Sequence, residues 1–292
     1  MKFKKRYLLL MPILLYVLLC ISGCFQFRMS KKKASQFFKS SEVPVVLKDM
    51  YIDSLQRNIH FAETTDSLKP YYVLFVHGSP GSGSNFYAYL KDTLLQNTAQ
   101  LASVDRPGFG YSDFGKSEPE LSRQASAIAQ LLRTHEHQKV ILVGHSLGGP
   151  VIVKMAMDYP DKVDGLFIIA GSVDPDAEPN ESWRKPMDKV WIRWILPRSI
   201  KVSNQEIIPV KQQLVKMSTQ WDKVLCNVYV LQGCNDKLVP PVNADFIAQK
   251  LNEHQRIVIK LKDKNHFIPF TDQPTVVNHI LQFIQHYGQK EE

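Results

Sequence analysis

The chain has 292 residues, 44% of them hydrophobic and 22% charged, a composition that is ordinary for a globular protein and argues against a disordered or fibrous chain. Its formal net charge of +8 would suit a nucleic-acid partner, but four of the 36 basic residues fall within residues 1–23, which contain no acidic residue. Without those four, 32 basic residues stand against 28 acidic ones, a net charge of +4, so no nucleic-acid partner is expected.

The N-terminus has the three parts of an export signal. "MKFKKR" is basic, "YLLLMPILLYVLLC" is an apolar run interrupted by Pro12, and "ISGC" follows. A membrane-spanning helix needs about 20 apolar residues, so a secretory signal is favoured over a span. "ISGC" resembles the bacterial lipobox, which implies cleavage of residues 1–23 and lipidation of Cys24. An ordinary signal peptide and an uncleaved anchor are the alternatives.

The lipobox resemblance implies a protein of the bacterial cell envelope, anchored by lipid to a membrane on its extracytoplasmic side. Residues 24–41 are then predicted to be a lipidated tether. Four lysines in this segment would each add about 1 kcal/mol of attraction to anionic headgroups. They are Lys31, Lys32, Lys33 and Lys39.

Beyond the tether, strand and helix patterns alternate. "PVVLKDMYIDSLQRNIHFAET" predicts a hairpin of two half-exposed strands. Buried strands are predicted at "YYVLFVHG", "QLASVD", "KVILV" and "KVDGLFIIAGS", and helices at "SNFYAYLKDTLLQNT" and "LSRQASAIAQLLRTHE". The alternation predicts an α/β fold with a mostly parallel sheet, which would bind ligands at the carboxyl ends of its strands.

"VGHSLGG" places Ser146 between two glycines, directly after the strand "KVILV". A G-x-S-x-G pentapeptide should occur by chance roughly once in ten chains of this length, so its context decides its meaning. Pro150 suits the first turn of a following helix, and Pro160 follows the end of that helix. Strand, sharp turn and helix together are typical of a nucleophilic serine; the alternative is a glycine-rich turn without chemistry.

A nucleophilic serine needs a base, and the base needs a carboxylate to orient it. "NVYVLQGCNDKLVPP" is a predicted strand followed by a loop that contains Asp236, and "RIVIKLKDKNHFIPF" is another whose loop contains His266. Both loops would emerge on the same side of the sheet as Ser146. Asp263, three residues before His266, is the alternative acid.

Other histidines are weaker candidates. His145 is too constrained by the turn to reach the Ser146 hydroxyl, and His77 precedes a glycine turn. Four more fall in helices or at helix ends and are expected to face solvent: His135, His137, His279 and His286. Cys226 and Cys234 flank a strand that would span about 26 Å, so we expect free thiols rather than a disulfide.

A tetrahedral intermediate needs amide donors as well. The backbone N–H of Leu147 is one candidate, and the loop "HGSPGSGSNF" offers a second at Ser79. The alternative for this loop is a phosphate-binding loop. The chain lacks the Gly-Lys-Ser/Thr that such a loop requires.

Five motifs in order, "HGSPGS", "DRPGFGYSD", "GHSLGG", "GCNDKLVP" and "NHFIPF", resemble the α/β-hydrolase superfamily over roughly residues 45–287. The resemblance implies a mostly parallel sheet flanked by helices, a catalytic triad of Ser146, Asp236 and His266, and an acyl-enzyme intermediate on a small acyl substrate. It implies no metal and no organic cofactor. Asp105 and Arg106 are expected to brace loops.

A core over residues 42–171 and 222–292 would be interrupted after the sixth strand by a short helical lid, residues 172–221. Its four tryptophans could line a pocket, contact a membrane or pack the lid onto the core: Trp183, Trp191, Trp194 and Trp221. A carboxylic-ester hydrolase is the most economical activity. A prolyl-type aminopeptidase or another amide or C–C hydrolase on the same fold is the alternative. Prolyl aminopeptidases have H-G-G-P-G where this chain has "HGSPG", and this departure weakens the peptidase interpretation. A non-catalytic binding module is the third hypothesis.

Overall fold

The computed structural model describes Pro12, Leu14 to Tyr16 and residues 24–288. An eight-stranded sheet in the order β1-β2-β4-β3-β5-β6-β7-β8 forms its centre. The strands are β1 (Val45–Ile52), β2 (Arg57–Thr64), β3 (Tyr71–Val76), β4 (Ala99–Val104), β5 (Lys139–His145), β6 (Gly165–Ile169), β7 (Asn227–Gly233) and β8 (Arg256–Leu261).

The first two strands form the predicted hairpin, but the expectation that both are half exposed is wrong for β2, which is buried at seven of its eight residues. β1 pairs antiparallel with β2, with Ile52 opposite Arg57 at the turn, and β2 pairs antiparallel with β4. All remaining pairs, from β4 to β8, are parallel. The carboxyl ends of these parallel strands therefore meet at one edge of the sheet.

The parallel strands are buried because helices cover both faces of the sheet. Successive residues of β3 point to opposite sides: Leu74 and Val76 join one hydrophobic cluster, while Val73 and Phe75 join the other. The helices are α1 (Lys31–Phe38), α2 (Tyr87–Leu90), α3 (Thr93–Thr98), α4 (Leu121–Ala129), α5 (Gly148–Asp158), α6 (Arg184–Met187), α7 (Val190–Arg193), α8 (Arg198–Ile207), α9 (Val210–Met217), α10 (Val242–Lys250), α11 (Ile268–Thr271) and α12 (Gln273–Gly288).

Two predicted helices are shorter than the apolar pattern indicated. The pattern from residue 84 to 98 is divided into a 3₁₀ turn, α2 and α3, because Asp92 caps a new helix by accepting hydrogen bonds from the amides of Leu94 and Leu95. The helix predicted from residue 121 tightens into a 3₁₀ turn at Gln130–Thr134.

Part of the segment predicted to be a tether is folded against the core. Ser30 caps α1 by accepting a hydrogen bond from the Lys33 amide, and Ala34 and Phe38 of this helix are buried. The Phe38 ring lies 4.8 Å from that of Tyr87 between centroids. The segment after Cys24 therefore has less freedom than its polar composition indicates.

The predicted signal peptide lies almost wholly outside the described residues, so its cleavage and the lipidation of Cys24 stay predictions. Among the residues that are described, no helix is both long and apolar enough to cross a membrane.

The lid lies where it was predicted, between β6 and β7, and contains α6 to α9. Trp221 at its end is buried and packs edge-to-face on Phe246 of α10. The other three tryptophans are exposed, by 50% for Trp183, 68% for Trp191 and 86% for Trp194. Packing of the lid onto the core therefore explains Trp221 but not the other three tryptophans of the lid.

Candidate active site

Ser146 occupies the turn between β5 and α5 in a left-handed backbone conformation, with φ of 54°. A residue other than glycine adopts this conformation only when its surroundings hold it there. The Ser146 amide donates a hydrogen bond of 3.0 Å to the Ile169 carbonyl at the end of β6. A Cβ on Gly148 would lie 2.2 Å from the Val76 carbonyl oxygen, so only glycine lets α5 approach β3 this closely.

Asp236 and His266 lie in the loops after β7 and β8, and the structure brings them together. His266 Nδ1 donates to Asp236 Oδ2 over 2.8 Å, and both residues are buried. Asp236 Oδ1 accepts from the amides of Leu238 and Val239 at 2.9 and 2.8 Å. Burial alone would raise the pKa of the Asp236 carboxyl, but the His266 and backbone hydrogen bonds outweigh it and lower that pKa.

The alternative acid, Asp263, is exposed, and within the described part of the chain it makes no hydrogen bond to His266. It lies in the turn that follows β8, ahead of the loop that contains His266. Of the two aspartates, Asp236 is the one that can hold the imidazole in a single tautomer.

His145 has a role that the sequence analysis missed. Its Nε2 donates a hydrogen bond of 2.9 Å to the backbone carbonyl of His266, and the two rings are 4.7 Å apart. Burial, with the neighbouring His266 ring, lowers the pKa of His145 to about 3, so it stays neutral. A neutral donor at this position fixes the backbone of the His266 loop beside the turn that holds Ser146.

The Ser146 hydroxyl has no hydrogen-bond partner among the described residues, so this conformation lacks a Ser146–His266 hydrogen bond. Such bonds often tighten only when substrate is bound. Ser146 is nevertheless adjacent in sequence to His145, whose ring faces His266. A Cβ on Gly78 would lie 2.8 Å from Ser146 Cβ, so the loop after β3 passes directly over the serine.

The two predicted amide donors flank this serine. In the part of the chain that the structure describes, neither the Ser79 nor the Leu147 backbone N–H donates to a protein acceptor. Ser79 follows Gly78, and its hydroxyl donates a 2.9 Å hydrogen bond to the Ser203 hydroxyl of α8 in the lid. The role of these two amides in stabilising an oxyanion beside Ser146 stays a prediction.

Arg106 braces the loop after β3, as the sequence indicated for this motif. Its side chain is wholly buried and donates to the carbonyls of His77 and Gly78 at 2.8 and 3.0 Å. It also donates to both carboxylate oxygens of Glu206 in α8, at 2.7 and 3.0 Å. The loop that presents Ser79 is thus tied to the lid.

His77 is held in one tautomer by the same network. Its Nδ1 donates to the Gly78 carbonyl at 2.7 Å, and its Nε2 accepts from the Arg106 amide at 3.0 Å. Burial and the adjacent Arg106 charge hold the pKa of His77 well below its ordinary value. This histidine is therefore a structural donor and acceptor rather than a base.

The expectation that His135 faces solvent is wrong. Its ring stacks on that of Tyr72 with centroids 3.7 Å apart, and its Nε2 lies 3.3 Å from a Glu63 oxygen. Both partners are about 60 to 70 residues away in sequence, so local periodicity contains no signal for this contact.

A hollow of about 480 Å³ lies within the lid, and Glu178 is on its wall. Glu178 accepts a hydrogen bond from the Ser172 hydroxyl, and the Ser172 amide lies 3.4 Å from the Ser146 carbonyl oxygen. Burial raises the pKa of Glu178 above its ordinary value. The residues that line this hollow do not include Ser146, Asp236 or His266.

Comparisons with known proteins agree with this architecture. Residues 71–193 match the family model described as alpha/beta hydrolase fold. The chain is 26% identical over 129 residues to the chloroplastic protein PHYLLO of Arabidopsis thaliana, and 30% identical over 106 residues to a proline iminopeptidase of Lactobacillus helveticus. These matches cover 41% and 35% of this chain but only 7% and 36% of those proteins.

A solved structure shows the same fold over nearly the whole domain. The esterase from Exiguobacterium antarcticum superposes with a TM-score of 0.63 at 16% sequence identity, covering 82% of this chain and all of that one. At this identity the likeness concerns the fold alone. The eight-stranded sheet, in which every pair from β4 to β8 is parallel, and this family match show that the chain has the α/β-hydrolase fold, with a helical lid after the sixth strand.

Proposed function

We propose that the protein is a serine hydrolase that cleaves a carboxylic ester of a small acyl substrate. Ser146 Oγ attacks the carbonyl carbon while its proton passes to His266 Nε2. The alcohol then leaves with that proton, and an acyl group remains on the serine. A water molecule deprotonated by His266 attacks this acyl-enzyme and releases the acid.

One observation carries the proposal, the 2.8 Å hydrogen bond between His266 and Asp236 beside the strained turn of Ser146. A carboxylate in this position keeps the His266 Nδ1 proton in place and stabilises the imidazolium that forms during attack. The unpaired amides of Ser79 and Leu147 support the same reading, since loss of one such donor costs roughly 3–4 kcal/mol of the barrier.

An amide substrate is the second candidate, because the chain resembles a proline iminopeptidase over 106 residues. A panel of 4-nitrophenyl esters of graded acyl length, tested beside proline 4-nitroanilide, separates the two. We expect ester hydrolysis that Ser146→Ala abolishes. Faster cleavage of the anilide than of every ester would assign a peptidase instead.

For location, we propose that Cys24 is lipidated and anchors the protein to a membrane outside the cytoplasm. The basic start, the short apolar run and "ISGC" support this. Intact-mass analysis of membrane-extracted protein tests it, with Cys24→Ser as the variant that should be misprocessed or released. A mature N-terminus other than modified Cys24 would refute the anchor.

A further inference from the structure

The far end of the lid is unusually apolar for a surface. Trp183, Val190, Trp191, Trp194 and Ile195, which we call the lid tip, are each at least half exposed. Four of them fall within six residues that form α7 and the turn after it. Tryptophan is enriched where proteins meet the headgroup layer of a membrane, because its ring is apolar and its N–H is polar.

Basic side chains adjoin the lid tip. A surface hollow of about 360 Å³ is lined by three cations and no acidic residue; its walls are Val190, Arg193, Trp194, Leu196, Arg198, Lys201 and Gln205. Arg198 and Lys201 have no acidic partner among the described residues. Arg193 has one, Asp188, at 3.7 Å. The charge around this hollow is therefore complementary to an anionic surface.

The N-terminal segment meets the lid at the same place. The 3₁₀ turn Cys24–Gln26 packs against α8, where the Ser199 hydroxyl donates to the Phe25 carbonyl. Arg28 then lies over the rings of Tyr111 and Phe114, at 4.2 and 4.7 Å from their centroids. These contacts restrict the position of the chain just after Cys24.

In the unprocessed chain Tyr16 of the apolar run also contacts the lid tip, because its hydroxyl donates to the Ile195 carbonyl. If Cys24 is lipidated, or if the leader is retained, attachment to a membrane begins beside α8. The apolar tip, the basic hollow and the attachment point share one end of the molecule.

We propose that the lid tip and the basic hollow form a docking surface for an anionic phospholipid bilayer. The tryptophans lie at headgroup depth, and Arg198 and Lys201 bind lipid phosphates. The lid then faces the membrane, and the amino ends of the parallel strands face away from it. This docking proposal does not depend on the proposed hydrolysis, because its test measures the position of the lid relative to the membrane and not enzymatic activity.

The test uses the full-length protein in vesicles of phosphatidylcholine with 30 mol % phosphatidylglycerol. Each sample is prepared with and without brominated acyl chains, because bromine quenches the fluorescence of nearby tryptophans. Trp221 stays in every variant as a buried background. The lid reporter, Trp183→Phe/Trp194→Phe, keeps Trp191. The distal reporter, Trp183→Phe/Trp191→Phe/Trp194→Phe/Leu68→Trp, uses a 94% exposed position just before the amino end of β3.

Docking predicts at least twofold stronger quenching of the lid reporter than of the distal one. Equal quenching of both would show that the anchor alone holds the protein near lipid, and would overturn the proposal. Quenching of the distal reporter alone would also overturn the docking proposal, and so would the absence of quenching in both reporters. Either result would favour a protein as the partner of the lid tip.

A second pair of variants tests the charges. Arg198→Gln/Lys201→Gln in the lid reporter should lower quenching in the phosphatidylglycerol vesicles to the level seen in pure phosphatidylcholine. Lys223→Gln/Lys250→Gln removes the same charge near the amino end of β7 and should change nothing. If both pairs reduce quenching equally, net charge and not this surface is responsible, and the assignment of the hollow fails.

Discussion

Arg106 and Glu206 form a buried ion pair with two hydrogen bonds, of 2.7 and 3.0 Å, that joins the loop after β4 to helix α8 of the lid. Arg106 also donates to the His77 and Gly78 carbonyls, which connects the loop after β3 to the same pair. Gln124 completes it by donating to the same carboxylate at 3.1 Å. The base of the lid is therefore fixed to the loop that presents the Ser79 amide, while the side chains of the lid tip are at least half exposed.

Removing one partner of this pair should be costly, because it leaves a buried charge uncompensated. We expect Glu206→Gln to lower the free energy of unfolding by about 3 kcal/mol, measured by urea denaturation. Glu181→Gln is the matched control, since its pair with Arg184 is partly exposed on the lid and should matter by less than about 1 kcal/mol. Equal losses in the two variants would show that the buried pair has no special role.

The assignment of the acid can be separated from its alternative by two conservative changes. Asp236→Asn should reduce kcat on the order of 10⁴-fold, since the amide would favour the wrong tautomer of His266. Asp263→Asn should leave kcat within about twofold, because the side chain is exposed. Steady-state kinetics on a 4-nitrophenyl ester measure both. A larger loss of kcat in Asp263→Asn than in Asp236→Asn would show that Asp263 is the acid that orients His266.

The fold was predictable because its signals are local and repeated. β3 to β7 are short, mainly apolar runs bounded by turns, and the order of the motifs matches the order of the loops at one sheet edge. The positions of Asp236 and His266 followed from that rule alone, since each comes after its own strand. The helix break at Asp92 was missed because the apolar spacing continues across it.

Contacts between distant segments could not be predicted. The stacking of His135 on Tyr72, the hydrogen bond from His145 to the His266 carbonyl and the pair of Arg106 with Glu206 join residues 63 to 121 positions apart. The exposure of the lid tryptophans likewise depends on how the lid packs and not on its own sequence.

Stability should depend on pH through His145. Its pKa is lowered in the fold from 6.5 to about 3, so between these values the unfolded state binds the proton and the native state does not. Unfolding free energy should therefore fall as pH drops from 7 to 4, each unit of pKa difference being worth about 1.4 kcal/mol. His77, whose pKa is also lowered, adds in the same direction.

Denaturant titrations at pH 4, 5, 6 and 7 measure this dependence. His145→Gln keeps a donor for the His266 carbonyl but cannot titrate, so its stability should vary less with pH than that of the natural chain. Identical slopes for the two proteins would contradict a neutral, buried His145.

The close approach over the serine predicts a specific sensitivity at Gly78. In Gly78→Ala the new methyl group would lie 2.8 Å from Ser146 Cβ and 3.2 Å from the His145 carbonyl oxygen, so the loop must shift. A displacement of this kind should cost about 10²-fold in kcat. Ser79→Ala removes only the hydroxyl that contacts Ser203 and keeps the amide, so it should lose less than about tenfold. A greater loss of kcat in Ser79→Ala would show that the loop acts through the Ser79 side chain and not through its backbone amide.

The central claim is that Ser146 is a nucleophile activated by His266. A fluorophosphonate probe reacts with an activated serine hydroxyl, and digestion with mass spectrometry then locates the adduct. We expect one labelled peptide with the adduct on Ser146, and loss of labelling in folded Ser146→Ala and His266→Ala variants. An unlabelled native protein, or an adduct on another serine that His266→Ala leaves intact, would contradict it.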